Sequence, residues 1–450
     1  MRPLALCLVL LVGAYAAEDE AALKTITKAI RDGDQELLVG LQQQHGPKAA
    51  QLVLDAVSSK RVGGGIKARL AEIVLGWPND ALGRQELVSW LAKHPNCEDD
   101  AMLFFAEIHP PEARGWFWSQ LEAAKGDPAK LRHPHRVAMA VRGLGFFEDN
   151  PEIVVTRIGS MLTSEYPHVI RACAADALGG MKHARAIEAL ILHAEDAAIG
   201  SRVVRSLYRL TGQHFEKEPA TRWQEWWASN KASLAFKMHT VADFDEFLKL
   251  QALVKPVDDT MIDMETFYGV KVEGNGLLFI LDVSGSMTIG GRINKLRAQM
   301  GNILLVLEGR PTRLRHGILT FSDGVESCYP RGIATNEPEN RQKAAKFIDR
   351  LDADGGTSMV SALRHAAEKV LPDANLDTLY LLSDGSPTDG SDQMVLDAAR
   401  LIHQRHQCRI HTIAIGEDEP AAFGEKTLME KVAHLTGGSF ARVRDVEDGN

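Results

Sequence analysis

Five residues of this 450-residue chain carry oxygen donors in an order that one hard cation could use. Asp282, Ser284 and Ser286 alternate within Leu277–Met287, LLFILDVSGSM. Thr357 closes the Gly-rich turn Asp354-Gly355-Gly356-Thr357, and Asp384 ends the segment TLYLLSD that begins at Thr378. Carboxylate and hydroxyl oxygens suit Mg²⁺, which usually keeps several waters and takes only a few protein ligands. The first three donors are too few to hold an ion, so Thr357 and Asp384 are needed to complete the set.

The elements that must position these donors are legible nearby. Leu277, Leu278, Phe279, Ile280 and Leu281 form a short unbroken apolar run before Asp282, the pattern of a strand buried on both faces. Helical spacing follows at Ile293, Leu296, Met300, Ile303, Leu304 and Leu307. Thr378–Ser383 repeats the buried-strand pattern and ends in Asp384, before the turn residues Gly385, Ser386 and Pro387. In an open parallel sheet the crevice at the carboxyl ends of the strands is where ligands bind. All five donors are therefore expected at one sheet edge.

Asp282-x-Ser284-x-Ser286, Thr357 after Gly-Gly, and Asp384 before Gly385 together resemble the metal-ion-dependent adhesion site of von Willebrand factor type A domains. The resemblance covers about Phe267 to Val443, roughly two-fifths of the chain. It implies a doubly wound, Rossmann-like α/β domain that binds Mg²⁺ (or Mn²⁺). It also implies that Ser284, Ser286 and Thr357 touch the metal directly, while Asp282 and Asp384 act largely through bound water. One coordination position stays open, for an acidic side chain of a partner protein. Mostly neutral direct ligands leave a divalent charge under-neutralised, which favours a carboxylate arriving from outside.

Composition bounds the rest. The chain is 45% apolar and 25% charged, as in soluble globular proteins, with room for about two to three domains. A net charge of −9, without a basic run, argues against nucleic acid as a partner. Met1–Ala16, MRPLALCLVLLVGAYA, has one Arg, an apolar core and an Ala-x-Ala ending, the pattern of a secretory signal cleaved after Ala16. The expectation is a secreted, periplasmic or cell-envelope protein with no integral membrane span after signal removal. Cys97, Cys173, Cys328 and Cys408 remain, an even number that permits disulfides without requiring them. Cys173 falls on an apolar helix face and reads as a core residue.

Residues 17–235 read as successive helices. Leu75-Gly76, Ile108-His109, Leu144-Gly145, Leu178-Gly179 and Leu210-Thr211-Gly212 close apolar stretches at intervals of 33, 36, 34 and 32 residues. Glycine after the last apolar residue is a helix C-cap signal, and a period in the thirties marks helical repeats. VAMAVRGLG (137–145) parallels IRACAADALG (170–179), and each is followed by a second amphipathic helix. The units His135–Pro167 and His168–Gly200 resemble HEAT-type repeats, implying an all-α solenoid with an extended surface for protein binding or a scaffold role. A non-repeating helical bundle is the alternative. Trp223, Trp226 and Trp227 lie at helical spacing and read as the buried face of a capping helix.

Residues 236–265 read as a connection, and 266–445 as the α/β domain. Tyr268-Gly269-Val270 and Gly274-Asn275-Gly276 predict a short hairpin edge. Further strands are expected at Gly317–Phe321, Val325–Tyr329, Arg409–Gly416 and Ser439–Val443. Helices are expected at Arg292–Leu307, Glu339–Leu351, Met359–Leu371, Gln393–Gln404 and Glu425–Leu435.

Other constellations carry less. His403, His406, Cys408 and His411 are zinc-type ligands, but they straddle a helix end and a strand start without zinc spacing. Asp389 and Asp392 read as solvated loop acids beside the ion site. No G-x-S-x-G, H-E-x-x-H or phosphate-loop motif occurs. The expectation is a binding protein and not an enzyme. Two alternatives remain: a metal-assisted hydrolase with Asp282 or Asp384 as base, and a helical scaffold in which the ion is only structural.

Overall fold

A computed structural model describes residues 19–124, 126–128, 131, 133–213, 215, 220–234, 236, 238–240, 265–373, 375–416 and 426–443. The proposed signal, 1–16, lies outside the described residues, as does most of the 236–265 connection. The chain divides into two compact units, Met1–Trp116 and Phe117–Asn450.

The first unit holds α1 (Glu20–Asp32), α2 (Pro47–Ser58), α3 (Gly64–Leu75), α4 (Leu82–Lys93) and α5 (Asp99–Ile108), and α6 (Arg114–Ala123) crosses the division. Asp19 starts α1, its Oδ1 accepting the Ala21 and Ala22 amides at 2.8 and 3.3 Å, and Gly33 ends it at φ 78°. Leu38, Leu41, Val53, Leu54, Leu70 and Val74 are buried here. The Trp77 indole donates to the Leu41 carbonyl at 3.2 Å.

The second unit begins with two rows of helices. One row is α7 (Pro134–Leu144), α9 (His168–Leu178) and α11 (Gly200–Thr211); the other is α8 (Glu152–Gly159), α10 (Ala184–Ile191) and α12 (Ala220–Asn230). The helix ends fall where the repeated Leu-Gly pairs predict. Glycine at these C-caps is not there for a left-handed turn, because Gly145 and Gly179 have ordinary right-handed backbone. A Cβ on Gly145 would lie 2.6 Å from Ala177 Cα, and one on Gly179 would lie 2.6 Å from Ser206 Cβ. Glycine is required there so that each helix end can approach the next helix in its row. Gly212 alone of these three is left-handed, at φ 70°. Trp223 is fully buried against Phe215 (centroids 4.7 Å apart), as a capping helix requires.

The α/β region opens with a hairpin, β1 (Thr266–Phe267) and β2 (Val270–Lys271), turned by Tyr268 and Gly269 with φ of 50° and 80°. There follow β3 (Gly276–Asp282), α13 (Arg292–Glu308), β4 (Arg315–Phe321), β5 (Val325–Ser327), β6 (Ala334–Thr335), α14 (Pro338–Asp349), α15 (Met359–His365), β7 (Thr378–Ser383), α16 (Asp392–Leu401), β8 (Arg409–Ile415), α17 (Leu428–Thr436) and β9 (Phe440–Val443). The sheet order is β5-β4-β3-β7-β8-β9, with β6 also pairing β4. Strands β4, β3, β7, β8 and β9 run parallel, while β5 and β6 are antiparallel to β4. The helices expected at 359–371 and 393–404 widen into π turns at Ala366–Val370 and Ile402–His406.

The unbroken apolar run of β3 reflects two cores. Leu278 and Ile280 face one, with Met359, Leu363, Val395 and Val432 from α15, α16 and α17. Leu277, Phe279 and Leu281 face the other, with Leu296, Met300 and Phe347 from α13 and α14. Burying each such side chain contributes about 1.5–3 kcal/mol. Asp282 is thereby anchored at the end of a strand that cannot slip register without exposing one core.

Helices α9 and α11 meet the opposite end of this sheet. The His168 amide donates to Asn375 Oδ1 at 2.8 Å, Arg202 Nη2 to the Gln407 carbonyl at 2.8 Å, and Arg409 Nη1 to Ser201 Oγ at 2.6 Å. Asn375, Gln407 and Arg409 lie at the starts of β7 and β8. The carboxyl ends, where Asp282 and Asp384 sit, point the other way.

Candidate metal centre

Strands β3 and β7 are parallel neighbours, with Leu281 opposite Leu382. One residue past Leu281 is Asp282; two past Leu382 is Asp384. Adjacency of the two strands, each ending in an acid, brings both carboxylates to one crevice. Three loops are knitted beneath it by backbone bonds. The Val283 amide donates to the Phe321 carbonyl at 3.0 Å, the Asp354 amide to Val283 O at 3.0 Å, and the Gly285 amide to Gly355 O at 3.0 Å. Gly355, at φ 78°, makes the turn that leads to Thr357.

Asp282 is fully buried. Its Oδ1 accepts the Ser284 amide at 2.8 Å and its Oδ2 accepts Ser383 Oγ at 2.5 Å. Burial pushes its pKa up, bonds from Ser284 and Ser383 oppose that, and the Asp384 charge adds to the rise. The Ser284 and Ser286 hydroxyls lie 3.1 Å apart, and Ser286 Oγ donates to Asp384 Oδ1 at 2.7 Å. The other oxygen of Asp384 accepts Arg292 Nη1 at 2.7 Å, in a pair whose side chains are 0% and 9% exposed respectively. Thr357 reaches the same edge: its amide donates to Thr388 Oγ1 at 2.8 Å, and a Cβ on Gly385 would lie 4.0 Å from its hydroxyl.

Ser284, Ser286 and Asp384 thus form one hydrogen-bonded chain beside Asp282, with Thr357 across the loop. Ser383, Arg292 and Thr388 belong to this arrangement and carried no signal in the sequence. Ser383 reads as a strand residue and Arg292 as the first residue of a helix. Asp389 corrects an expectation. It is not a solvated loop acid: its carboxylate accepts the Val360 and Ser361 amides at 3.1 and 2.8 Å and so caps α15.

Among the described residues, no group of three or more His, Cys, Asp or Glu side chains could share an ion. His406 Nε2 bonds the Ala367 carbonyl at 2.9 Å and His411 Nδ1 accepts the Ser439 amide at 2.9 Å. Both rings are held neutral, their pKa lowered to about 3 chiefly by burial. Among the described residues, Cys97, Cys173, Cys328 and Cys408 form no disulfide; Cys97, Cys173 and Cys408 are buried, and Cys328 is partly so. The donor set at the sheet edge is oxygen throughout, three hydroxyls and two carboxylates, and fits a hard divalent cation in place of zinc on soft ligands.

Residues 275–441 match the family model described as the von Willebrand factor type A domain. The chain carries a von Willebrand factor type A domain. Over 174 residues it is 28% identical to von Willebrand factor A domain-containing protein 3A of Homo sapiens, covering 38% of this chain and 14% of that protein. Over 225 residues it is 27% identical to calcium-activated chloride channel regulator 1 of Sus scrofa, covering 49% and 22%. Over 181 residues it is 30% identical to inter alpha-trypsin inhibitor, heavy chain 4 of Mus musculus, covering 38% and 18%. The chain therefore spans less than a quarter of the length of these relatives. Among solved structures, a von Willebrand factor type A protein from Catenulispora acidiphila aligns over 39% of this chain and 40% of its own, with 23% identity and TM-score 0.33. No helix among the described residues is long and apolar enough to cross a membrane.

Proposed function

We propose that this chain is an exported protein-binding module whose von Willebrand factor type A domain holds Mg²⁺ (or Mn²⁺) at Asp282, Ser284, Ser286, Thr357 and Asp384 and uses it to capture an acidic side chain of a partner protein. The single observation that carries the reading is the hydrogen-bonded chain Ser284–Ser286–Asp384 beside buried Asp282, at the open carboxyl edge of the sheet. The bound ion would supply a hard Lewis-acid centre for a carboxylate oxygen. The protein's own residues do the rest. Ser383 and the Ser284 amide fix the Asp282 carboxylate. Arg292 offsets one of the two acid charges by pairing with Asp384.

The layout proposed is a signal at 1–16, a HEAT-like helical region at 17–235, a connection at 236–265 and the von Willebrand factor type A domain at 266–445. The helical region serves as a second interaction surface or scaffold. The reading is of a binder and not an enzyme: Ser284 and Ser286 bond each other and Asp384, with no imidazole in that chain of bonds. Relatives named as a channel regulator and an inhibitor heavy chain are compatible with binding.

The test is calorimetric titration of mature protein with Mg²⁺ and Mn²⁺, then capture of partners from an extracellular or envelope fraction, with EDTA and Thr357→Ala as controls. Metal binding and a partner lost in both controls support the reading. A partner kept in both would sink it.

A further inference from the structure

The two carboxylate oxygens of Asp384 are drawn to opposite sides. Oδ1 accepts Ser286 Oγ at 2.7 Å, from the loop that follows β3, and Ser286 Oγ in turn lies 3.1 Å from Ser284 Oγ. Oδ2 accepts Arg292 Nη1 at 2.7 Å. The sheet order puts β3 on one side of β7 and β8 on the other. Arg292 stands on the β8 side: a Cβ on Gly416, the residue after β8, would lie 2.9 Å from its guanidinium carbon. Of the two oxygens, Oδ1 is therefore the one turned toward the hydroxyls of the candidate metal centre.

The local backbone is built to hold Arg292 in that place. Gly290 and Gly291, at φ 56° and 65°, turn the chain out of the Ser286 loop so that Arg292 opens α13. Gly416, at φ 84°, leaves room for the guanidinium, and its amide is tied to the Val443 carbonyl at 2.8 Å. The side chains of Arg292 and Asp384 are both buried, so little water competes for the bond between them. Asp282 is likewise bonded at both oxygens, by the Ser284 amide and by Ser383 Oγ.

We infer that Arg292 is a positioning residue that sets which ion the site takes: by holding Oδ2 toward β8 it keeps Asp384 from gripping an ion with both oxygens, and so disfavours Ca²⁺ relative to Mg²⁺ and Mn²⁺. Ca²⁺ gathers about six to eight oxygens and often takes carboxylates through both of theirs, whereas Mg²⁺ demands octahedral geometry and keeps several waters. Two carboxylates that each have both oxygens engaged by protein donors suit the second habit and not the first. The inference rests on the metal site proposed above and adds to it a residue outside the five oxygen donors. Groups that orient a metal-binding side chain typically change affinity by about 10–100-fold when removed.

The experiment titrates the full chain with Mg²⁺, Mn²⁺ and Ca²⁺ by calorimetry, comparing wild type with Arg292→Met, Arg292→Lys and Gly416→Ala, their folding checked by circular dichroism. Arg292→Met keeps an apolar stem and removes every donor. Arg292→Lys keeps one donor for Oδ2. Gly416→Ala displaces the guanidinium and leaves residues 292 and 384 as they are. The readout is the ratio of Mg²⁺ to Ca²⁺ affinity, because a lost charge or a loosened fold moves both ions together. Wild type is expected to prefer Mg²⁺, and that ratio to fall roughly tenfold in Arg292→Met and Gly416→Ala while staying near wild type in Arg292→Lys. Should Arg292→Met fail to fold, Gly416→Ala and Arg292→Lys carry the test. An unchanged ratio in the folded Arg292→Met and Gly416→Ala variants, or wild type binding Ca²⁺ as tightly as Mg²⁺, overturns the inference and leaves the metal site standing. Wild type binding none of the three ions removes the metal site itself, and the inference with it.

Discussion

The two ends of the parallel sheet use their polar residues in opposite ways. At the amino ends of β7 and β8, each of Asn375, Gln407 and Arg409 is bonded to a different helical residue, His168, Arg202 or Ser201. Asp377 is buried there as well, accepting the Asn275 and Gly276 amides at 2.7 and 3.2 Å, with burial raising its pKa to about 6. At the carboxyl ends of β3 and β7, Ser284, Ser286 and Asp384 are bonded to one another, and Arg292 closes the set from the same domain. A polar residue whose partner comes from another element of the fold is spent on docking. Oxygen donors whose partners are each other, at an edge reached by the exposed loop residues Gly385 and Ser386, are the arrangement that the proposed metal site needs.

The sharpest way to break this contrast is Arg202→Ala. It takes the ion pair from Asp176 and the guanidinium bonds from Gln407, whose carbonyl keeps only His168 Nε2 at 3.1 Å, and the expected loss is about 2–3 kcal/mol in urea unfolding, with the Mg²⁺ titration unchanged when measured on folded protein. A changed Mg²⁺ affinity would show that the two ends are coupled.

Acidification acts next, on the same end. His168 and His406 have folded pKa values of about 3, lowered first by burial and then by nearby positive groups, Arg202 for His168 and His135 for His406. An unfolded imidazole titrates near 6.5, so their contribution is complete above that pH and is lost as pH falls toward 3. Between pH 6.5 and 5 each is expected to lose about 2 kcal/mol. Asp377 works in the opposite sense. Its raised pKa favours the fold at low pH, and that gain disappears as pH rises through about 6. Asp377→Asn should therefore steepen the loss below pH 6 in a series of unfolding curves. A flat profile from pH 7 to 5 would contradict the buried-histidine account.

Gly145→Ala is expected to cost at least about 1 kcal/mol, because the added methyl meets the Ala177 backbone. The smallest stability effect is expected at the metal centre. Thr357→Ala should change unfolding by less than about 1 kcal/mol while abolishing metal-dependent capture. A large loss of stability in Thr357→Ala without metal would make that residue structural and weaken the contrast.

Much of the fold was legible because apolar patterning reports burial directly. Unbroken runs at 277–281 and 378–382 are strands with a helix layer on each side, and Leu-Gly pairs marked helix ends. The five oxygen donors were legible because each sits at a strand end or loop whose position the flanking pattern sets. What the linear pattern did not contain was pairing across long separations. Arg202 meets Gln407 at a distance of 205 residues along the chain, and Arg292 meets Asp384 at 92. Local periodicity averages the environment of an element and does not name the residue opposite it. Hence Asp389 looked solvated until its helix was seen above it, and the histidines at 403–411, which lacked zinc spacing in the sequence, have their actual backbone partners named only by the fold. Chain order by itself determined which segments are buried and which donors cluster at the sheet edge. Only tertiary packing decided that glycine at 145 and 179 is a matter of space, and that one end of the sheet is closed by helices while the other ends in the exposed loop residues Gly385 and Ser386.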